Sequence, residues 1–338
     1  MDAIVLVGGQ GTRLRPLTAT RHKSLVPLCN RPAIEYLFDW LQRSGFSRIV
    51  LAIGQHNKDL IAAYPPGQYG GMALAHVHET ERLESGGAIR NAVAKAKITE
   101  RFSVLNGDIF VEFDFAPALE QHIERAADLT LALHEEADPS QFGVAVLDDS
   151  GMVMGFIEKP PLGAAPGNLV NAGVWIFEPS LVDEIPAGAV RVEETLFPSL
   201  VARRRTVLGY AFTGLWADIG TRTRYLAINR AMIEGGRNGI ASTATIDPAS
   251  TVSGSSVGDL STIGPGAIVE RSLLWERVQV GMGAEVRDSI VADRVVIGAG
   301  ARLTETTVGS GATVAPGALL VPGTSVGPGT RYDGPHER

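Results

Sequence analysis

A single cysteine, Cys29, stands in 338 residues, which excludes an intrachain disulfide and a thiolate zinc site and fits a reducing, cytoplasmic compartment. No run reaches the roughly eighteen apolar residues of a membrane span, and the first residues lack the basic and long apolar stretches of a secretory signal. Positive charge is also scarce. The formal net charge is −7, and the one tight cluster, Arg203 to Arg205, reads as the solvated end of a helix, so a nucleic-acid partner is not expected. Histidine is missing between residues 240 and 335, which removes the usual general base from that part of the chain. What remains is an ordinary globular composition, 45% hydrophobic and 20% charged, with chain enough for two cores.

The first feature present is a loop. The apolar run AIVLV is followed by GGQGTRLRPLTATRHKSLVPL, with glycine at 8, 9 and 11 and cations at Arg13, Arg15, Arg21 and Lys23. Glycine lets backbone amides approach a ligand, and a strand-to-helix turn in an α/β sheet commonly binds phosphate, so the stretch suggests an anion site. It is not a P-loop, because Thr12 and Arg13 follow the second glycine. It is not a dinucleotide fingerprint either, because Leu14 takes the third glycine position.

Up to about residue 232, strand-like runs alternate with helix-like ones in the manner of a βαβ sheet. Strands are expected at Ala3–Val7, Ile49–Ile53, Ala73–His76, Phe102–Leu105, Leu129–Leu133, Val174–Phe177 and Val207–Tyr210. Helices are expected at Ala33–Ser44, Asp59–Tyr64, Gly87–Ala96 and Phe115–Ala127.

Beyond residue 240 the apolar positions form three rows: Ile246, Ile263, Val280, Ile297, Val314; Val252, Val269, Val286, Leu303, Leu320; and Val257, Leu274, Val291, Val308, Val326. Members of a row are seventeen apart, with one step of eighteen at the end of the third. Steps of five and six within each turn describe a triangular β-helix, one branched side chain per face pointing to the axis and glycines at the corners. Five coils at about 4.8 Å make a rod about 24 Å long. The expected organisation is therefore a domain over 1–235 and a β-helix over 240–332.

Seven motifs carry a resemblance over nearly the whole chain: LVGGQGTRLRPLT at 6, KSLVPL at 23, GGAIR at 86, LNGDI at 105, FIEKP at 156, NAGVWIF at 171 and LWADIGT at 215. In this order the sequence resembles the sugar-1-phosphate nucleotidyltransferases, most closely the mannose-1-phosphate guanylyltransferase type with a C-terminal β-helix. The resemblance implies a Rossmann-like domain with a mixed, mostly parallel sheet, followed by a left-handed β-helix. The implied reaction joins a sugar 1-phosphate to the α-phosphorus of a nucleoside triphosphate and releases pyrophosphate, giving GDP-mannose from mannose 1-phosphate and GTP. Such chemistry is mostly positioning and charge neutralisation.

On that resemblance the nucleotide would lie along Leu6, Gly8, Gly9, Gly11 and Thr12, with Arg13 and Lys23 on the β- and γ-phosphates. Gly86 and Gly87 would admit the base, with Glu79 or Glu84 near its edge. Asp108 and Asp218 would hold one Mg²⁺, a hard cation that prefers oxygen. Lys159 would meet the sugar phosphate, Glu158 the sugar hydroxyls, and Gly143, Asn171 and Gly173 would complete that subsite. Val7 and the run His22-Lys23-Ser24 replace an alanine and two prolines of the family pattern, which predicts a looser loop around Lys23.

Alternatives within the scaffold are transfer of a thymidylyl, uridylyl or adenylyl group to glucose 1-phosphate, or a catalytically silent sugar-nucleotide-binding subunit. Leu260, Leu273, Trp275, Met282, Ile290 and Leu319 are expected on the outside of the rod, which predicts a homo-oligomer. Since every candidate residue precedes 235, a chain ending there is expected to lose assembly yet keep some transferase activity.

Overall fold

The computed structural model describes residues 1–54 and 57–335. The chain forms two compact units, one of Met1–Gly9 with Ile34–Ala217, the other of Gln10–Ala33 with Asp218–Arg338.

The first unit is built on a ten-stranded sheet. Its centre is parallel, with Asp2–Leu6 between Arg48–Ile53 and Phe102–Asn106, and Met72–His78 beyond Arg48–Ile53. These strands are near-continuous apolar runs, as strands buried on both faces must be, and Ala3, Ile4 and Val5 are fully buried. Leu169–Phe177 joins antiparallel to Phe102–Asn106, to Leu129–Glu135 and to Gly143–Leu147, which makes the sheet mixed. The core beneath it packs Phe102, Trp175, Phe177 and Phe197, with the Trp175 and Phe197 rings edge to face at 5.2 Å.

All seven expected strands and all four expected helices are present, with ends moved by a few residues. The hairpin Gly143–Leu147 and Val153–Glu158 was not anticipated, because Gly143 and Gly155 interrupt its alternation. Leu169–Phe177 begins five residues before the expected Val174. Its pairing with Leu129–Glu135 shifts register between Asn171 and Trp175, where Gly173 takes φ 73°.

In the second unit the rod is three parallel sheets of six, five and five strands. All three rows pair as read, Ile246 on Ile263, Val252 on Val269 and Val257 on Leu274, and so on up the stack. Two members were not in the rows: Ile240, which bridges to Val257, and Tyr332, which pairs with Val314 after a second step of eighteen. Hydroxyls reinforce the stack. The amides of Ser272, Ser289 and Thr306 donate at 3.0–3.1 Å to the side chains of Ser255, Ser272 and Ser289 one coil below.

Glycine holds only one of the three corner rows throughout. Gly266, Gly283, Gly300 and Gly317 have φ of 65–70°, whereas another row places Arg271, Asp288 and Glu305 at φ 47–49°. These L residues occupy a left-handed conformation that disfavours a Cβ, and the charged ones pair along the edge, Arg271 with Asp288 at 2.6 Å.

One face of the rod is covered by this chain itself. Helix Arg222–Glu234, which the sequence reading did not mark, turns Tyr225, Ile228, Asn229 and Met232 inward. Its apolar stripe is broken by Asn229 and so was easy to overlook. Trp275 Nε1 donates to Tyr225 Oη at 3.1 Å. Leu273, Trp275 and Ile290 are consequently buried, not exposed as the sequence suggested, while Leu260 and Met282 are more than half exposed.

Candidate active site

Within the first unit, the candidate groups gather at the carboxyl ends of the central parallel strands, where open α/β sheets bind ligands. Leu6 ends the strand, Val7 is still held by a 3.1 Å bond to the Ala52 carbonyl, and Gly8 and Gly9 are exposed. Gly107 donates to the Leu6 carbonyl at 2.9 Å, which sets Asp108 beside this loop between Phe102–Asn106 and Ile109–Val111. A Cβ on Gly107 would stand 2.4 Å from Val7 Cγ1, so the approach requires glycine. The Glu79 carboxyl lies on the other side, with Oε1 3.6 Å from the place of a Cβ on Gly8. Burial, and to a smaller extent the neighbouring Glu84, hold Glu79 above the usual carboxylate range.

Gly86 and Gly87 sit inside helix Glu84–Ala96 and are buried. The space a Cβ would take is filled by Val190 and Ile185 at Gly86 and by the Gly188 carbonyl, 2.5 Å away, at Gly87. Protein packing therefore demands both glycines independently of any ligand. Glu84 pairs with Arg191 at 3.3 Å and Arg82 at 2.7 Å.

A second group forms at the end of Val153–Glu158. Lys159 has φ 46°, its amide donates to the Phe142 carbonyl, and its Nζ meets Glu158 Oε1 at 2.6 Å. Glu158 Oε2 passes 2.8 Å from where a Gly143 Cβ would be, so Gly143 makes room for that carboxylate. Asn171 Oδ1 accepts from the Gly173 amide at 3.1 Å and from Trp175 Nε1 at 2.7 Å, which fixes the side chain at the register shift. The left-handed Gly173 lies against Asn106.

Sequence reasoning missed Glu193. Ser85 Oγ donates to its carboxylate at 2.6 Å and accepts from the Val192 amide at 3.0 Å. Burial pushes the Glu193 carboxyl up, with Ser85 acting the other way and smaller contributions from Glu158 and Lys159. A carboxyl so perturbed, with Glu158 and Lys159 contributing to its shift, makes Glu193 a candidate for the same group. The only signal in the sequence was Val192-Glu193-Glu194, which reads as a solvated loop. A group whose folded pKa is raised supports the fold below its unfolded value, about 4.3, and loses that support as pH rises through the folded value. Glu193→Gln should therefore gain Tm over the native chain by a margin that grows as pH rises above about 4.3. A margin independent of pH would remove the buried carboxyl from this account.

Within the second unit, Gly11 has φ 60° and its carbonyl accepts from Thr18 Oγ1 at 2.6 Å. A Cβ there would be 3.1 Å from Lys23 Cβ, so the loop folds back on itself. Thr12–Leu14 is a single 3₁₀ turn that leaves Thr12 and Arg13 exposed. Lys23 is buried at the start of a second such turn, Lys23–Leu25. Hydrogen bonds stand where the family pattern has its prolines. His22 Nδ1 accepts from the Ser24 amide at 3.2 Å and the His22 carbonyl from the Leu25 amide at 2.9 Å, a cap that replaces them.

Asp218 Oδ1 and Arg13 Nη2 both lie within 3 Å of the point where a Gly220 Cβ would stand, 2.1 and 2.9 Å away. Arg224 is 3.8 Å from the same carboxylate. Asp218 thus lies near the guanidinium groups of both Arg13 and Arg224. Asp108 in the first unit and Asp218 in the second each offer carboxylate oxygen, a donor type that suits a hard divalent cation. Among the described residues no cluster of three His, Cys, Asp or Glu side chains forms a metal site by itself, and no helix is long and apolar enough to cross a membrane.

Comparison with known proteins gives two family matches, Nucleotidyl transferase over residues 2–235 and GMPPB C-terminal domain over residues 235–331. The chain is 33% identical over 237 residues to a mannose-1-phosphate guanylyltransferase of Mycobacterium tuberculosis, covering 70% of this chain and 65% of that protein. It is 31% identical over 265 residues to a mannose-1-phosphate guanylyltransferase catalytic subunit beta of Dictyostelium discoideum, covering 75% and 73%. The match thus spans about two thirds of the length of such relatives, 65% in the first case. A Bacillus anthracis chain described as a glucose-1-phosphate thymidylyltransferase superposes with a TM-score of 0.62 at 22% identity over 68% of this chain and 94% of that one, a likeness of fold.

Proposed function

Because the chain belongs to the nucleotidyl transferase family, we propose that it transfers a guanylyl group from GTP to mannose 1-phosphate, releasing pyrophosphate. The observation that carries this reading is the pairing of that family match with the GMPPB C-terminal domain match over the rod, together with relatives named for this reaction. The sugar-phosphate oxygen attacks the α-phosphorus of the triphosphate, the bond to the β-phosphate oxygen breaks, and pyrophosphate carries away the electron pair. The amides at Gly8, Gly9 and Gly11 and the side chain of Thr12 line the nucleotide, while Arg13 and Lys23 neutralise the charge on the leaving pyrophosphate. Lys159 binds the incoming phosphate. Glu158 and Glu193 accept hydrogen bonds from sugar hydroxyls, and Asn171 orients the ring.

Enzymes of this family commonly use a divalent metal, and we assign Mg²⁺ to Asp108 and Asp218, where it would neutralise phosphoryl charge. A cytoplasmic setting and association of copies through the rod belong to the same reading, the latter supported by the exposed Leu260, Met282, Val296 and Val321.

The alternatives, thymidylyl, uridylyl or adenylyl transfer to glucose 1-phosphate, use the same phosphate chemistry. A silent regulatory subunit is disfavoured because Arg13, Lys23, Asp108, Lys159 and Asp218 are all retained. A panel of nucleoside triphosphates and sugar 1-phosphates with Mg²⁺, scored by pyrophosphate release, separates them. GTP with mannose 1-phosphate should lead, and a pyrimidine triphosphate preferred by more than about tenfold would overturn the assignment. Lys159→Ala should raise KM for the sugar phosphate about 100-fold and leave KM for the triphosphate nearly unchanged. An effect confined to the triphosphate would move Lys159 to the other half of the site.

A further inference from the structure

Arg21 belongs to the cationic loop, yet its side chain is engaged by the rod. Its guanidinium carbon lies 4.8 Å above the ring of the buried Trp275. Its Nη2 is 3.1 Å from Glu276 and 3.7 Å from Asp293. Next to it, Thr20 Oγ1 bonds Ser310 Oγ at 2.9 Å, and Ser310 Oγ donates to Asp293 Oδ1 at 2.8 Å. Arg21, Asp293, Ser310 and Thr20 thus close a circuit that ties this segment to three successive coils.

The contacts are unequal in weight. Glu276 is nearly half exposed, beside a crevice of about 130 Å³ bounded by Arg21, Leu25, Asn30 and Trp275, so solvent screens that pair. Asp293 is only 4% exposed and Trp275 1%; Asp293 also pairs with Arg294 at 2.6 Å and accepts from Ser310, so the guanidinium face on the indole, flanked by the Thr20–Ser310–Asp293 chain, holds the segment. Two residues further on, Lys23 starts the turn capped by His22, and Lys23 Cβ packs against Gly11, which leads into Arg13. The path from rod to loop is short.

We propose that Arg21 is a positioning residue: docked on Trp275 and Asp293 of the rod, it fixes the turn that aims Lys23 and, through Gly11, Arg13 at the triphosphate. This rests on the function proposed above, and it gives the β-helix a part in the transfer step in addition to any role in assembly. Side chains that stabilise a leaving group lose about 100-fold when displaced by an ångström, so a residue that touches no substrate can still control the rate.

The test compares Arg21→Ala, Arg21→Lys and Glu276→Gln with the native protein, by steady-state kinetics and by amide hydrogen exchange. Arg21→Ala should lower kcat/KM for the triphosphate by about 100-fold, leave KM for the sugar phosphate within about threefold, and speed exchange at residues 22–26 while that at Val286 and Val291 in the rod stays slow. Arg21→Lys, which keeps the charge but not the planar face, should recover part of the loss. Glu276→Gln should stay within about threefold, as a screened pair would.

Arg21→Ala kinetics within about threefold of native, or equal loss with both substrates alongside faster exchange in the rod, would overturn the proposal. Should the native protein turn over no sugar phosphate at all, the functional reading alone fails. Exchange still decides the docking, since unchanged rates at residues 22–26 in Arg21→Ala would refute it.

Discussion

Asp108→Asn and Asp218→Asn should each lower kcat by about 10²–10³-fold, equivalent to about 2.7–4 kcal/mol of barrier, while the fold stays intact. Asparagine preserves volume and one acceptor oxygen but turns the other into a donor and removes the charge that a divalent cation requires, so the loss reports the ligand rather than packing. The surroundings differ in an informative way. Asp108 lies in the turn that follows a central strand, next to Gly107 and the glycine loop, so its substitution should leave nucleotide binding without metal unchanged. Asp218 also lies near Arg13 and Arg224. Its substitution removes a carboxylate close to both guanidinium groups, which should add a dependence of nucleotide affinity on ionic strength. Titration of activity with Mg²⁺ checks both. Activity of either variant within about tenfold of native, under about 1.4 kcal/mol, would remove that carboxylate from the metal assignment.

Much of this architecture is legible from the sequence, for identifiable reasons. In the rod each row demands one branched apolar side chain every coil, and the register cannot slip without turning that residue outward; the rows from Ile246 to Val326 could be read directly. The parallel strands were visible because burial on both faces makes them unbroken apolar runs. What could not be read depends on tertiary company. Trp275, Leu273 and Ile290 look like surface residues until helix Arg222–Glu234 is seen to be part of the same unit.

The site divides in the same way. Glycines and cations at 8 to 23 announce an anion loop because they contravene the ordinary pattern of a strand leading into a helix. Glu193 announces nothing, since its raised pKa arises from enclosure, and the Ser85 hydroxyl that opposes the shift is 108 positions away. Nor does the sequence reveal that Gly86 and Gly87 answer to the packing of Ile185, Gly188 and Val190. Arg21 is the sharpest case. It reads as one more phosphate ligand, and only geometry shows its guanidinium turned onto Trp275, Glu276 and Asp293.

A protein ending at residue 235 should lose turnover by about 100-fold or more, even though Arg13, Lys23, Asp108, Lys159 and Asp218 all remain. Sequence order alone suggested that activity would survive, but residues 10–33 cluster with the rod rather than with the sheet. Truncation removes Trp275 and Asp293 from Arg21, Ser310 from Thr20, and the Gly239 and Val257 carbonyls from the Asn30 amide. It also strips Trp275 from Tyr225, whose hydroxyl donates to the Pro27 carbonyl at 2.6 Å, and Ser256 from Asn229, which accepts from the Cys29 amide at 2.9 Å. Exposing a buried side chain of this size costs about 1.5–3 kcal/mol, and leaving a buried polar group without its partner about 1–3 kcal/mol. A few such losses match the whole stability of a domain, about 5–15 kcal/mol, so the loop should lose its fixed conformation even where the sheet survives. Near-native far-UV circular dichroism for 1–235 with turnover reduced about 100-fold is the expected result, and a truncated protein within about tenfold of full-length activity would return the loop to the sheet unit. The same preparation reports on assembly. Light scattering should find the full-length protein associated and the truncated one monomeric, because the exposed Leu260, Met282, Val296 and Val321 all lie beyond residue 235. An assembled truncated protein would instead place the interface on the sheet unit, and a full-length monomer at micromolar concentration would rule out association through the rod.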